Sequence, residues 1–218
     1  MATFPSSTSA SDVWSLTDQY RAQAGINWPN TNQPQFVTGL VVNGAITVSY
    51  PISTLPGDLA IAVTHNFSPS APSGFTSIFT TSGDAYGYAK NVSIRTVQAG
   101  DSTVYFGGAG GGFDSTLIIM RGRTSVSTTY DWKNAAVGSS TTVSVNVTGI
   151  GICIASDRGA APAEPPIVSG AGMGVSIVGS AGYFYQVTRP TVFGSSHSAN
   201  VTDGGGSYGS SALLIVAI

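Results

Sequence analysis

Two apolar runs constrain this chain more than anything else in it. Leu213-Leu214-Ile215-Val216-Ala217-Ile218 is continuous, with no polar residue between its apolar ones. Leu117-Ile118-Ile119-Met120 has the same character. A strand with one wet face alternates apolar and polar residues, so an unbroken run predicts a strand covered on both faces. Each run follows a glycine-rich stretch: Gly107 to Gly112 before the first, and Gly204-Gly205-Gly206 with Gly209 before the second. "STVYFGGAGGGFDSTLIIM" and "SANVTDGGGSYGSSALLIVAI" therefore read as the closing segments of two related units, a weak internal twofold signal.

The remaining chain agrees with an all-β reading. Charged residues make up 8% of its 218 positions, the lysines being Lys90 and Lys133 and the glutamate Glu164. Lys and Glu furnish helix surfaces, so their scarcity beside abundant Ser, Thr, Val and Gly favours strands. From residue 36 onward short strands alternate with turn signals every 8–12 residues, as in a sandwich or barrel. Asn43-Gly44 predicts a two-residue hairpin. Leu59–Val63 and Gly151–Ala155 read as equivalent buried strands of the two halves. Matched halves closing on matched strands predict a jelly-roll-like β-sandwich over 36–218.

One stretch differs. Val13, Leu16, Tyr20 and Ala24 fall on one stripe of a helix that Ser11 or Asp12 can cap, with Gly25 at its end and Trp28-Pro29 beyond. A lone helix this short is marginal in water and must dock on something. Residues 1–30 therefore read as an N-terminal arm, 31–35 as a polar linker, and 36–218 as the β domain. Val13, Trp14, Leu16, Tyr20 and Trp28 are the expected docking anchors, because aromatic side chains dominate interface energetics.

Signs of catalytic chemistry are sparse. His65 and His197 have no companion at metal-ligand spacing and read as loop histidines. There is no G-x-S-x-G elbow. The run Gly107 to Gly112 lacks the Gly-Lys-Ser/Thr of a phosphate loop. Asp58, Asp84, Asp101, Asp114, Asp131, Asp157 and Asp203 sit at turn-like positions, where aspartate serves local backbone bonds. Cys153, between Ile152 and Ile154, reads as a small buried hydrophobe. Tyr86, Tyr88, Tyr130, Trp132, Tyr183, Tyr185 and Tyr208 suit strand packing or subunit contact better than a sugar platform. The reading is a non-enzyme with no catalytic, metal or cofactor site. A net charge of −2 without basic clusters argues against nucleic-acid binding. No secretory signal and no membrane-inserting stretch is expected, since no apolar run approaches the ~18 residues a spanning helix needs. A surface so poor in charge suits a subunit of an assembly.

Specific segments carry a resemblance. "SASDVWSLTDQYRAQAGINWP" is similar to the N-terminal segment of small structural proteins of tailed bacteriophages. "LPGDLAIAVTHNFSPSAPSGFTSIFTTSG" resembles their pattern of a Gly-Asp turn, an apolar strand, a Pro-rich loop and a "GF-T" strand. "VQAGDSTVYF" and "LIIMRG" continue it, so the likeness spans residues 11–122. It implies a non-enzymatic virion component of the tail, baseplate, neck or capsid surface, made in the host cytoplasm. Its expected partners are other virion proteins and further copies of itself. A host-glycan-binding module, or a head decoration protein, is the alternative implied, with loops Ser68–Gly74 and Ala160–Pro166 as the glycan-facing elements.

Overall fold

The computed structural model describes residues 35–43, 47–83, 88–106, 114–158, 164–181, 184–205 and 209–218. Residues Gln35–Ile218 form one compact unit. The expected helical arm, and the anchors Val13, Trp14, Leu16, Tyr20 and Trp28, lie outside the described residues. The described residues hold fifteen strands and no helix.

The first half contains β1 (Gln35–Asn43), β2 (Thr47–Ser49), β3 (Leu59–Asn66), β4 (Thr76–Thr80), β5 (Ala89–Thr96), β6 (Thr103–Tyr105) and β7 (Asp114–Arg121). The second contains β8 (Asp131–Ala135), β9 (Ser140–Val145), β10 (Gly149–Arg158), β11 (Ile167–Ser169), β12 (Ile177–Ala181), β13 (Phe184–Gly194), β14 (His197–Thr202) and β15 (Ser210–Ala217). All pairings are antiparallel. A five-stranded central sheet in each half runs β1-β7-β3-β5-β4 and β8-β15-β10-β13-β12. Outer sheets run β2-β6 in the first half and β9-β14-β11 in the second. Taken in chain order, each strand of the first half has a counterpart at the same place in the second; β11 alone is extra.

The apolar residues dictate how these sheets stack. On the first central sheet Leu59, Ile61, Val63, Val92, Ile118 and Met120 share a face. They pack against Ile150, Ile152, Ile154, Leu213, Ile215 and Ala217 of the second. The opposite face of the first sheet, with Ala60, Ala62, Leu117 and Ile119, is covered by Val104 and Phe106 of its outer layer. The opposite face of the second sheet, with Cys153, Ala155, Leu214 and Val216, is covered by Val143, Val145, Ala199 and Val201. Four layers result: outer, central, central, outer. Every residue of β3 and β15 is buried, which accounts for the unbroken apolar runs Leu59–Val63 and Ala212–Ala217 within them.

Several expectations need correction. The described residues of 36–218 form four sheets where a single two-sheet sandwich was expected. Asn43-Gly44 does not join a hairpin, because β1 pairs with β7 and β2 with β6 in a different layer. Each strand carries its apolar residues toward a different core, so the chain changes layer between them. Leu59 is also one residue out of step with Gly151. It shares its face with Ile150, Ile152 and Ile154, whereas Gly151 lies against His197 in the opposite layer.

At one flank β1 lies over β12. A Cβ at Gly39 would come within 2.7 Å of the Ile177 Cδ1, and one at Gly179 would run into the Val41 side chain. At the other flank Phe79 on β4 stacks on Tyr130 beside β8, with ring centroids 4.0 Å apart and planes at 8°. The two halves thus share one core. Chemical unfolding followed by far-ultraviolet dichroism and by tryptophan fluorescence should give one coincident transition. Ile215→Ala, which empties the centre of that core, should lower stability by about 3–4 kcal/mol. Gly179→Val should cost about 1–3 kcal/mol by overpacking.

Candidate functional site

The shared core is apolar at one end and polar at the other. On the second central sheet Gln186, Ser156 and Ser211 lie side by side across β13, β10 and β15. They occupy the face that carries Ile154 and Leu213 toward the first sheet. Across from them stand Lys90 on β5, in step with Val92 and Ile94, and Thr116 on β7, in step with Ile118. Lys90 is fully buried. Burying an ammonium is costly unless it is hydrogen-bonded and electrostatically accommodated. Its Nζ donates to Ser156 Oγ at 2.7 Å and lies 5.4 Å from the centre of the Trp132 ring. The Gln186 side-chain amide donates to Thr116 Oγ1. Both bonds join the two halves.

Cys153 projects from β10 into the opposite core. Burial pushes its thiol up to about 12, against a smaller downward pull from the Lys90 charge. It is an inert thiol, as the sequence predicts.

A second arrangement joins the Pro-Gly-Asp turn before β3 to the Arg-Gly end of β7. Asp58 of Pro56-Gly57-Asp58 is buried, and Arg121 of Arg121-Gly122 grips it with a fork. Nε reaches Oδ1 and Nη2 reaches Oδ2, each at 2.8 Å. The Leu55 N–H also donates to Oδ2 at 2.8 Å. Gly57 has φ 91°, a conformation that favours glycine, and this lets the turn present its carboxylate inward. At the corresponding edge of the second half the Thr124 and Ser125 N–H groups donate to the Ile218 carbonyl.

The other expected site groups are used structurally. His197 opens β14 and is buried, bonded at Nδ1 to Thr191 Oγ1 at 2.8 Å and at Nε2 to the Val147 carbonyl at 3.2 Å. His65 lies inside β3, buried, with its ring 5.8 Å from that of Tyr88. Neither is a loop residue as expected, because both strands run further than their apolar cores. Asp101 accepts the Arg95 fork and the Gln98 N–H. Asp131 accepts the Ser144 N–H and pairs with Lys133. Asp203 holds Gly138 N–H, Gly205 N–H and the Ser210 hydroxyl. Asp157 departs from the turn reading and lies buried within β10. Among the described residues no group of three or more His, Cys, Asp or Glu side chains could hold a metal ion.

Of the surface aromatics, Tyr88 is buried and Trp132 lies beneath Lys90. Tyr86, Tyr183 and Tyr208 lie outside the described residues, as does part of the Ala160–Pro166 loop. Phe67, at the foot of the Ser68–Gly74 loop, is 58% exposed and stacks on Tyr88 at 3.9 Å. Sequence reasoning missed both Lys90 and Phe67. The parity of Lys90 with Val92 and Ile94 was the available signal for the first. No family model, curated protein or solved structure matches the chain.

These arrangements have measurable consequences. Arg121→Ala leaves the buried Asp58 carboxylate without its cation and should cost about 3 kcal/mol in urea unfolding. The double variant Asp58→Ala/Arg121→Ala should cost far less than the two single losses combined. Native Cys153 should resist iodoacetamide at pH 8, with roughly a thousandfold less thiolate than an ordinary thiol, and should react once the chain is unfolded. The raised thiol also fixes a pH dependence. Folding favours the neutral form, so its contribution is intact below the ordinary thiol range and is lost as pH climbs from about 9 toward about 12. Cys153→Ala should remove that component of the alkaline loss.

Proposed function

We propose that this chain is a non-enzymatic structural protein of a tailed-phage particle. Residues 1–30 attach it to neighbouring virion proteins, and the β unit stands at the particle surface. The observation that carries the reading is the Asp58–Arg121 clamp. The Gly-Asp turn and the Arg-Gly end, separate marks of the resemblance, are two halves of one structural joint. Residues that could have served chemistry, Asp101, Asp131, Asp203 and His197, are likewise spent on holding loops and layers.

Each half is read as a jelly-roll-type unit. This is supported by the orders β1-β7-β3-β5 and β8-β15-β10-β13, with β2-β6 and β9-β14 in the facing layers. The low charge, 8% of residues, favours subunits that meet other subunits.

Light scattering on the full chain, and on a chain beginning at Asn30, tests the arm. The full chain should be a defined oligomer and the shortened one a folded monomer with unchanged β dichroism. Equal masses for the two would remove the arm from assembly. Trp14→Ala should weaken incorporation into particles without lowering the stability of the β unit.

Phe67 favours one further reading, host-glycan binding. An exposed ring backed by Tyr88 beside a Pro-rich loop is a stacking surface of the kind sugars use. Glycan-array binding abolished by Phe67→Ala would establish it, and an array without any binding would remove it.

A further inference from the structure

The polar end of the shared core leaves specific atoms unsatisfied. Gln186 and Thr188 have no exposed surface, and Ser211 has 4%. Among the described residues, Gln186 Oε1, Thr188 Oγ1 and Ser211 Oγ have no hydrogen-bond partner. All three belong to one face of the second central sheet, the face turned toward Lys90 and Thr116. Ser156 stands between Gln186 and Ser211, one strand from each. Its oxygen accepts the Lys90 ammonium, so its own hydroxyl proton is available to a third party.

Buried polar atoms of native proteins are paired with protein or with ordered water almost without exception. An unmet buried group costs about 1–3 kcal/mol, and three of them on one face would tax a small domain heavily. Swapping the oxygen and nitrogen of the Gln186 amide does not help, since one of the two stays unpaired whichever bonds Thr116. Apolar ligands gain nothing at a surface of amide and hydroxyl groups. An anion would have to give up its hydration to reach a fully buried site. Water fits the chemistry. It accepts from Ser156 and donates to Gln186 Oε1 and Ser211 Oγ, giving it the three or so partners that buried waters usually have.

We infer that an ordered water lies between the two central sheets, held by Ser156, Gln186 and Ser211. It extends the Lys90–Ser156 bond into a network that ties the first half to the second. Thr188, two residues from Gln186 on the same face, bounds the site on the side of Ile154 and Ile177.

A crystal structure of the full chain at about 1.5 Å tests this. Density for a water within hydrogen-bond distance of Ser156 Oγ and of both Gln186 and Ser211 is the expected result. A dry seam, or side chains turned to bond one another directly, overturns it. In solution a double-mutant cycle of Gln186→Leu and Ser211→Ala reads the same network. These side chains sit two strands apart on either side of Ser156. Bridged by water, their effects on the unfolding constant should depart from multiplicativity by about threefold or more. Multiplicative effects overturn the bridge.

Discussion

Everything in this molecule depends on the contact between its two five-stranded sheets. Neither sheet could exist alone in water, because each is apolar on both faces. Each half covers one face with its own small outer layer. The other face of each is covered by the opposite half. Burying a large aliphatic side chain contributes roughly 1.5–3 kcal/mol relative to leaving it exposed. The shared core contains Ile61, Ile118, Ile152, Ile154, Leu213 and Ile215, all with negligible exposure. Within Gln35–Ile218 such a contact behaves as one core rather than as a joint between two independent domains. The close fits at Gly39 and Gly179 on one flank, and the Phe79–Tyr130 stack on the other, hold its edges in place.

Apolar sheets packed face to face slide easily, because dispersion and the hydrophobic effect are not directional. The polar end of the core supplies direction. A buried lysine is tolerated only in geometries that offer it an acceptor. Lys90 therefore fixes β5 opposite β10 through Ser156, while Gln186 fixes β13 opposite β7 through Thr116. Buried polar groups of this kind add little net stability, since their desolvation offsets most of the gain. Their effect is to penalise every arrangement in which they would be left unpaired. The hydrophobic face sets how strongly the halves adhere, and the polar row sets where.

The sequence carried the layer structure further than it carried the pairing. The runs at Leu59–Val63, Leu117–Met120 and Leu213–Ile218 declared strands covered on both sides, and all three are central. Composition declared an all-β chain for the same physical reason: residue parity and β-branching are local properties. Pairing is not local. Asn43-Gly44 has the right residues for a hairpin, but local turn chemistry yields to the need of β1 and β2 to reach different cores. β13 runs through Pro190, which a register irregularity between Ile150 and Ile152 accommodates. β11, three residues long, carries too little pattern to be seen. Lys90 was overlooked because a lone lysine near a turn reads as surface, and only its tertiary setting makes it a core residue. Ser156 and Gln186 are ordinary polar residues until two distant strands bring them together.

The two halves share a strand order but not the means of closing it. In the first, an ion pair between Asp58 and Arg121 ties the opening of β3 to the end of β7. In the second, main-chain bonds from Thr124 and Ser125 do the equivalent work at the end of β15. In the second half β11 pairs along β14. In the first, a single bond from the Ser73 N–H to the Tyr105 carbonyl stands beside β6. A topology that survives such exchanges is not dictated by any one motif. It follows from the parity of apolar residues on the central strands, which both halves keep. What only one half has is therefore not required by the layered packing. Among the described strands β11 belongs to the second half alone, so a role beyond self-support has room to reside there.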